Sequence, residues 1–183
     1  MFSIAIFDFQ GGEVILARDR LGIKPLFYHN STDSFAFSSE IKSLIHLSDS
    51  KLHLNLDSLF SYLCFRYSVS GESLFSGFFS FPAGCWMKIR DSKIIEKERY
   101  WNLSNYANTE LETDHEKIVT EVRKLLEDSV KRRMVSDVPI GAYLSGGIDS
   151  SAVAAIMAQN TDSSLRTYTI GFSDEGFNEF SFS

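Results

Sequence analysis

Apolar and polar residues alternate with a period of two over much of the first hundred positions, which is typical of half-buried β-strands. The strand-like segments 2–7 and 14–16 flank the turn residues Gln10, Gly11 and Gly12, so we predict a β-hairpin there. The first part of the chain is therefore predicted to be α+β. Further strands are predicted over 26–28, 35–37, 85–89 and 94–100, with a turn at Asp91-Ser92, and short helices after Ser39 and over 57–65.

The pattern changes beyond a polar stretch that extends from Asn102 to Asp114. Apolar residues recur every three or four positions from His115 to Met134, which predicts an amphipathic helix. Strand, helix and strand then follow in the order of a parallel βαβ unit, so the second part is predicted to be α/β. These three elements are predicted over 138–144, 150–159 and 165–172, and the domains over 1–104 and 115–183 with a linker at 105–114.

A glycine-rich segment from Leu144 to Ser151 lies between the predicted strand and the helix after it. Adjacent glycines let the backbone turn sharply and present several N–H groups on one concave face. The following helix adds the positive end of its dipole, and the hydroxyls of Ser145 and Ser150 can donate further hydrogen bonds. Such a loop fits a phosphate or pyrophosphate group. The alternative is a glycine-rich turn in which Asp149 only caps the helix.

Composition excludes several classes of protein. The chain has 183 residues, of which 44% are hydrophobic and 23% are charged, as in ordinary globular domains. A net charge of −6 argues against nucleic-acid binding, and no apolar run approaches the ~20 residues that span a membrane. Two cysteines, Cys64 and Cys85, form neither a disulfide framework nor a zinc site, so we expect a cytoplasmic protein with buried, reduced thiols.

The glycine-rich segment lacks the lysine of the Walker motif, and it resembles the S-G-G-x-D-S pyrophosphate loop of the N-type ATP pyrophosphatases. The residues before it, Ser136 to Tyr143, resemble those of glutamine-hydrolysing asparagine synthetases. Segments of the first part resemble the same family in the same order. Residues 17–28 resemble the motif R-D-x-x-G-x-x-P-L-F/Y, and residues 37–44 resemble S-S-E-I-K-x-L. The short segments 81–84 and 99–101 also resemble segments of that family.

The resemblance implies the rear part of an N-terminal-nucleophile amidotransferase fold with layered antiparallel sheets. The start of a parallel-sheet ATP-pyrophosphatase domain, of the adenine nucleotide α-hydrolase type, would follow it. In this family glutamine supplies ammonia, and ATP activates aspartate as an aspartyl adenylate that yields asparagine, AMP and pyrophosphate. The expected partners are these small molecules, without nucleic acid or membrane, and the resemblance allows a homodimer in the parent enzyme.

By position, the resemblance implies that Leu144 and Ile170 contact adenosine through backbone and apolar groups, although ordinary strand core is the alternative for both. A Mg²⁺ ion is expected between Asp149 and the phosphates, because the carboxylate would repel bare pyrophosphate. The residues implied to hold the pyrophosphate are Ser145, Gly146, Gly147, Asp149 and Ser150.

No catalytic residue is predicted in this chain. The glutaminase nucleophile of the family is a cysteine at the mature N-terminus, whereas Met1 and Phe2 begin this sequence and both cysteines lie deep within it. We therefore expect an internal fragment of an asparagine synthetase without complete activity of its own. The alternatives are a related amidotransferase acting on another carboxylate, β-lactam-forming or sugar-modifying, and a non-catalytic nucleotide-binding remnant.

Overall fold

A computed structural model of the chain describes residues 1–47, 52–69, 71–107, 111–161 and 164–171. These residues belong to two units, one within 1–109 and the other within 110–183. The first unit contains two antiparallel sheets, with strand orders β1-β2-β6-β7 and β4-β3-β5. Its strands are β1 (Ser3–Asp8), β2 (Glu13–Arg18), β3 (Phe27–Asn30), β4 (Phe35–Ser38), β5 (Phe78–Ser80), β6 (Cys85–Arg90) and β7 (Lys93–Arg99), and its helices are α1 (Ile41–Leu47) and α2 (Leu56–Phe65).

Both predicted hairpins are confirmed. β1 pairs with β2 from Ser3 opposite Arg18 to Asp8 opposite Glu13, and β6 pairs with β7. The β6–β7 turn places Asp91 at φ 48° and its neighbour at φ 61°. Two consecutive positive φ angles match the right-handed twist of the strands on either side, which explains the tight connection.

The inner faces of the two sheets share one apolar core. Cys85, Met87 and Ile89 are the buried alternate residues of β6, and Leu16 of β2 lies directly opposite Met87. Tyr28 of β3 belongs to the same cluster, so the two sheets pack against each other.

Two neighbouring charged residues, Arg18 and Asp19, hold the loop that follows β2 through hydrogen bonds to its backbone. The guanidinium of Arg18 donates to the backbone carbonyls of Gly22 and Phe81. Burial acts to raise the pKa of the Asp19 carboxyl, but backbone N–H donors outweigh it and lower that pKa to about 2. These donors are the N–H groups of Phe2, Leu21, Ile23 and Lys24, at 3.0–3.2 Å from the carboxylate oxygens.

Three features of the first unit differ from the predictions. The short strand β5 was not predicted, because three residues are too few to establish a period of two. Cys64 is exposed, so the prediction that both thiols are buried is wrong for it, whereas Cys85 is buried. The polar stretch after Trp101 includes a 3₁₀-helix at Leu103–Tyr106, which begins where the Asn102 side chain accepts the Ser104 N–H.

The second unit consists of a parallel strand pair with two helices. The long predicted helix is confirmed as α3 (His115–Arg133), and it is capped by the carboxylate of Asp114. β8 (Gly141–Tyr143) and β9 (Arg166–Tyr168) are parallel neighbours, and α4 (Ile148–Gln159) connects them, as predicted. A small core unites the helices with β8, and its buried residues are Val130, Ala142, Ala154 and Met157.

The boundaries of β8, α4 and β9 differ from the predicted ones. β8 is shorter than the predicted strand 138–144, and Val138 is exposed because Pro139 and the loop before it do not join the sheet. α4 begins at Ile148, two residues earlier than predicted. β9 covers only part of the predicted strand 165–172, whose last residue lies outside the described residues. A search of the described helices finds none that is long and apolar enough to cross a membrane.

We expect the ionised Asp19 carboxylate to stabilise the first unit above about pH 4. Because its folded-state pKa lies below its ordinary value, the contribution is lost as the pH falls from about 4 to about 2. Asp19→Asn should cost on the order of 1–2 kcal/mol near neutral pH, with a smaller difference near pH 2. Urea unfolding followed by the fluorescence of Trp86 and Trp101, which both lie in this unit, measures the difference.

Asp33→Asn is the matched control, because Asp33 is an exposed aspartate of the same unit. It should leave the free energy of unfolding unchanged at each pH. A cost for Asp19→Asn that stays constant between pH 7 and pH 2 would contradict the role of its charge.

Candidate functional site

The glycine-rich loop leaves the carboxyl end of β8 and enters the N-terminus of α4. Because β8 and β9 are parallel, residues that follow both strands lie at one edge of the sheet. This edge holds Leu144 after β8 and Ile170 after β9, as well as the loop itself. Open parallel sheets bind their ligands outside the carboxyl ends of the strands, so this edge is the candidate site.

Hydrogen bonds hold both the N–H and the carbonyl of Leu144. Its N–H donates to the carbonyl of Tyr168 at 2.9 Å, and its carbonyl accepts from Thr169 Oγ1 at 2.8 Å. The side chain is half-buried and packs against the core of the second unit. The loop therefore starts from a firmly held residue.

Two glycines give the loop its shape. Gly146 has φ 74°, in the left-handed region that favours glycine, and Gly147 is the N-cap of α4. Because the N-cap is a glycine, no N-cap side chain satisfies the first N–H groups of the helix. Asp149 is the second residue of α4, so the alternative in which this carboxylate caps the helix is wrong. The geometry leaves the helix N-terminus open for an anion.

Two serine hydroxyls meet across the loop. Ser145 Oγ and Ser150 Oγ are 3.0 Å apart, and the N–H of Ser145 donates to Ser150 Oγ at 3.3 Å. Ser150 Oγ in turn donates to the carbonyl of Gly147 at 3.1 Å. Hydroxyl hydrogens rotate readily, so both groups can be redirected toward a ligand that approaches the loop.

Positive potential and one carboxylate characterise the site. The dipole of α4 is equivalent to roughly half a positive charge at its N-terminus, where Asp149 is exposed. The described residues contain no cluster of three or more potential metal ligands from His, Cys, Asp and Glu. A single carboxylate fits Mg²⁺, which in proteins is commonly held by one or two carboxylates together with substrate phosphates and water.

The two residues expected to contact adenosine lie at this edge in different environments. Leu144 is half-buried, whereas Ile170 is 67% exposed. Within the described residues, Leu144 packs against the core of the second unit and Ile170 does not. Contact of both residues with adenosine stays a prediction.

A cavity of about 580 Å³ borders the loop within the second unit. Asp149 and Ser150 line it from the loop side, and Tyr143 lines it from β8. Arg133 of α3 lines it as well, and its guanidinium donates to the carbonyl and hydroxyl of Ser129. The sequence analysis did not associate Arg133 with the loop. The sequence offered one indication of this residue, because the periodic apolar residues of α3 give way to basic ones at the end of the helix.

The second residue that sequence reasoning missed is Thr169. It directly precedes Ile170, which the motif comparison selected, but its hydroxyl contact with Leu144 joins positions 25 residues apart. No local pattern indicates such a contact.

Two family models match separate parts of the chain. The model of the glutamine amidotransferase domain family matches residues 1–101, which is more than half of the chain. The model of the asparagine synthase family matches residues 121–183, which include the glycine-rich loop.

Similar proteins occur in archaea, bacteria and fungi. A Methanocaldococcus jannaschii protein, provisionally named asparagine synthetase (glutamine-hydrolyzing) 2, is 39% identical over 94% of this chain and 34% of its own length. Asparagine synthetase (glutamine-hydrolyzing) 1 of Bacillus subtilis is 34% identical over 98% of this chain and 28% of its own length. A Gibberella zeae protein named amidase chry2 is 31% identical over 96% of this chain. The chain thus spans about a third or less of the length of the curated relatives it matches.

The two glycines of the loop should respond differently to alanine. Gly146→Ala places a Cβ at φ 74° and should cost about 1 kcal/mol of stability in the second unit. Gly147→Ala is the matched control, because its φ is −73° and a Cβ there meets only Ser145 Oγ at 3.5 Å and Ser150 Oγ at 4.0 Å. Urea unfolding followed by circular dichroism at 222 nm measures both, since the long helices α3 and α4 belong to this unit. Equal costs for the two substitutions would contradict the left-handed geometry at Gly146.

Proposed function

The chain belongs to the glutamine amidotransferase domain family, and we propose that it is part of a glutamine-hydrolysing asparagine synthetase whose loop 144–150 binds the pyrophosphate group of ATP. The parent protein would make asparagine from aspartate, ATP and ammonia released from glutamine. Residues 1–104 would be the C-terminal part of the amidotransferase domain, with layered sheets of the N-terminal-nucleophile type. Residues 115–183 would be the N-terminal part of the ATP-pyrophosphatase domain, with a linker at 105–114.

The observation that carries this proposal is the open N-terminus of α4 behind two adjacent glycines. A glycine N-cap leaves helix N–H groups free to donate, and the left-handed turn at Gly146 directs the backbone around the anion. The hydroxyls of Ser145 and Ser150 are 3.0 Å apart and can each donate to a phosphate oxygen. Together these groups supply several neutral donors but no cationic side chain within the loop.

The missing positive charge explains the proposed need for Mg²⁺. When bound with ATP, the ion would neutralise phosphate charge and so assist the displacement of pyrophosphate. Asp149 would hold it, because its carboxylate is exposed beside the loop and supplies a hard oxygen ligand. The remaining ligands would be phosphate oxygens and water, since the described residues offer no larger cluster of metal ligands.

Leu144 and Ile170 would flank the adenosine. The N–H of Leu144 already donates to Tyr168, so its polar contact with adenosine is limited to the second lone pair of its carbonyl oxygen. The exposed side chain of Ile170 offers apolar surface to the base or the ribose. Both positions lie at the sheet edge that also presents the pyrophosphate loop.

The reaction proposed for the parent enzyme begins with attack of the aspartate side-chain carboxylate on the α-phosphorus of ATP. The bond between the α-phosphorus and the oxygen that links it to the β-phosphorus breaks, and pyrophosphate leaves with the electron pair of that bond. Ammonia then displaces AMP from the aspartyl adenylate and gives asparagine. In the first step this chain's loop would stabilise the negative charge that develops on the departing pyrophosphate, through N–H and O–H donors oriented before the reaction.

The names of the archaeal and Bacillus subtilis relatives favour aspartate over other carboxylates as the acceptor, and they do not favour a non-catalytic remnant. ATP, aspartate and glutamine are therefore the proposed small-molecule partners of the parent protein. A homodimer and a cytoplasmic location stay predictions from the sequence.

Removal of one hydroxyl from the loop should weaken nucleotide binding by the 183-residue chain. Ser150→Ala deletes a donor to the phosphate and also the acceptor that orients the Ser145 N–H, so Mg·ATP should bind about tenfold more weakly. Isothermal titration calorimetry measures the dissociation constant. Thr120→Ala is the control, because Thr120 is an exposed hydroxyl residue on α3 of the same unit. Unchanged affinity in Ser150→Ala, or an equal loss in the control, would count against the proposed site.

A further inference from the structure

We propose that Thr169 is a positioning residue of the pyrophosphate loop. Its hydroxyl fixes the peptide unit between Leu144 and Ser145, and so sets the direction in which the Ser145 N–H points. This inference rests on the proposed function, because it concerns the same loop. Thr169 would act through the backbone of Leu144 and would not itself touch the nucleotide.

The hydroxyl of Thr169 continues the pairing of the two parallel strands beyond their last backbone partners. Tyr143 and Tyr168 form the last register pair of β8 and β9. One residue further, the Leu144 N–H donates to the Tyr168 carbonyl, and Thr169 Oγ1 donates to the Leu144 carbonyl at 2.8 Å. The side chain of Thr169 thus supplies the hydrogen bond at the point where β8 turns into the loop.

Planarity of the peptide bond carries this constraint one residue further. The Leu144 carbonyl and the Ser145 N–H belong to one rigid plane, so a fixed oxygen also fixes the direction of the N–H. That N–H donates to Ser150 Oγ, which donates to the Gly147 carbonyl. A chain of hydrogen bonds therefore extends from Thr169 to the N-cap of α4.

The hydrogen bond from Thr169 to the Leu144 carbonyl matters because the loop is irregular and glycine-rich. Gly146 and Gly147 give the backbone freedom on one side of Ser145, so its orientation depends on the bonds on the other side. Donors that are already oriented bind an anion without a further ordering cost. Loss of the Thr169 hydroxyl should therefore affect binding of the pyrophosphate group more than binding of adenosine.

The first test compares two substitutions in the free chain. Thr169→Val keeps the shape of the side chain but removes the hydroxyl, whereas Thr169→Ser keeps the hydroxyl. We expect the amide hydrogen of Ser145 to exchange about fivefold faster in Thr169→Val, with little change in Thr169→Ser. Amide exchange measured by NMR resolves this position, and the amides of α3 report any general loss of structure. Unchanged exchange at Ser145 in Thr169→Val would overturn the positioning role.

The second test uses Mg·pyrophosphate and adenosine as separate probes in calorimetry. Thr169→Val should weaken Mg·pyrophosphate binding about five- to tenfold and change adenosine binding less than about twofold, and Thr169→Ser should restore the pyrophosphate affinity. An equal loss for both probes would overturn the inference, because it would indicate a general structural role. If the unaltered chain binds neither probe, the proposed function fails, and the exchange of Ser145 still decides whether Thr169 orients the loop.

Discussion

The hydrogen bonds that hold Leu144 between Tyr168 and Thr169 are the constraint on which the candidate site depends. β8 contains only three residues, so strand pairing alone is a weak anchor for the loop after it. The bonds at Leu144 extend that pairing to the residue at which the glycine-rich loop begins. Without a fixed starting point, the turn at Gly146 and the hydroxyl pair would not share one orientation. The local chemistry at the edge of the parallel pair and its crossover helix thus forms the candidate site.

The first unit uses the same physical device on a different loop. Asp19 accepts hydrogen bonds from backbone N–H groups of a loop and of Phe2, just before β1, and Arg18 donates to carbonyls of that loop and of Phe81. In each unit a side chain replaces the ladder of hydrogen bonds that an irregular segment cannot form for itself. In the first unit these side chains are charged, and they lie beside the apolar core, where a carboxylate without hydrogen-bond partners would be costly. In the second unit the side chain is the neutral Thr169, and it lies beside an open sheet edge, where a bound anion can still compete for the donors of the loop.

The sequence predicted those elements whose formation depends on residues close together in the chain. The hairpins, α3 and the parallel order of β8, α4 and β9 followed from periodicity and turn residues. Strand lengths did not, because the partner strand decides them: Pro139 ends the possible pairing of β8, and β5 has only three residues. The exposure of Cys64 and the contact between Thr169 and Leu144 also depend on distant parts of the chain. The motif indicated the candidate residues of the loop, whereas no local pattern indicated Thr169, which we propose orients them.

The central claim is that the edge formed by the loop 144–150 and by Ile170 binds ATP. Titration of the ¹⁵N-labelled chain with Mg·ATP, followed through amide chemical shifts, tests it most directly because each residue reports separately. The account predicts the largest shifts at the amides from Ser145 to Ser150, smaller ones at Thr169 and Ile170, and none along β6 or β7 of the first unit. No change in the loop amides at saturating Mg·ATP, or changes confined to other surfaces, would contradict it.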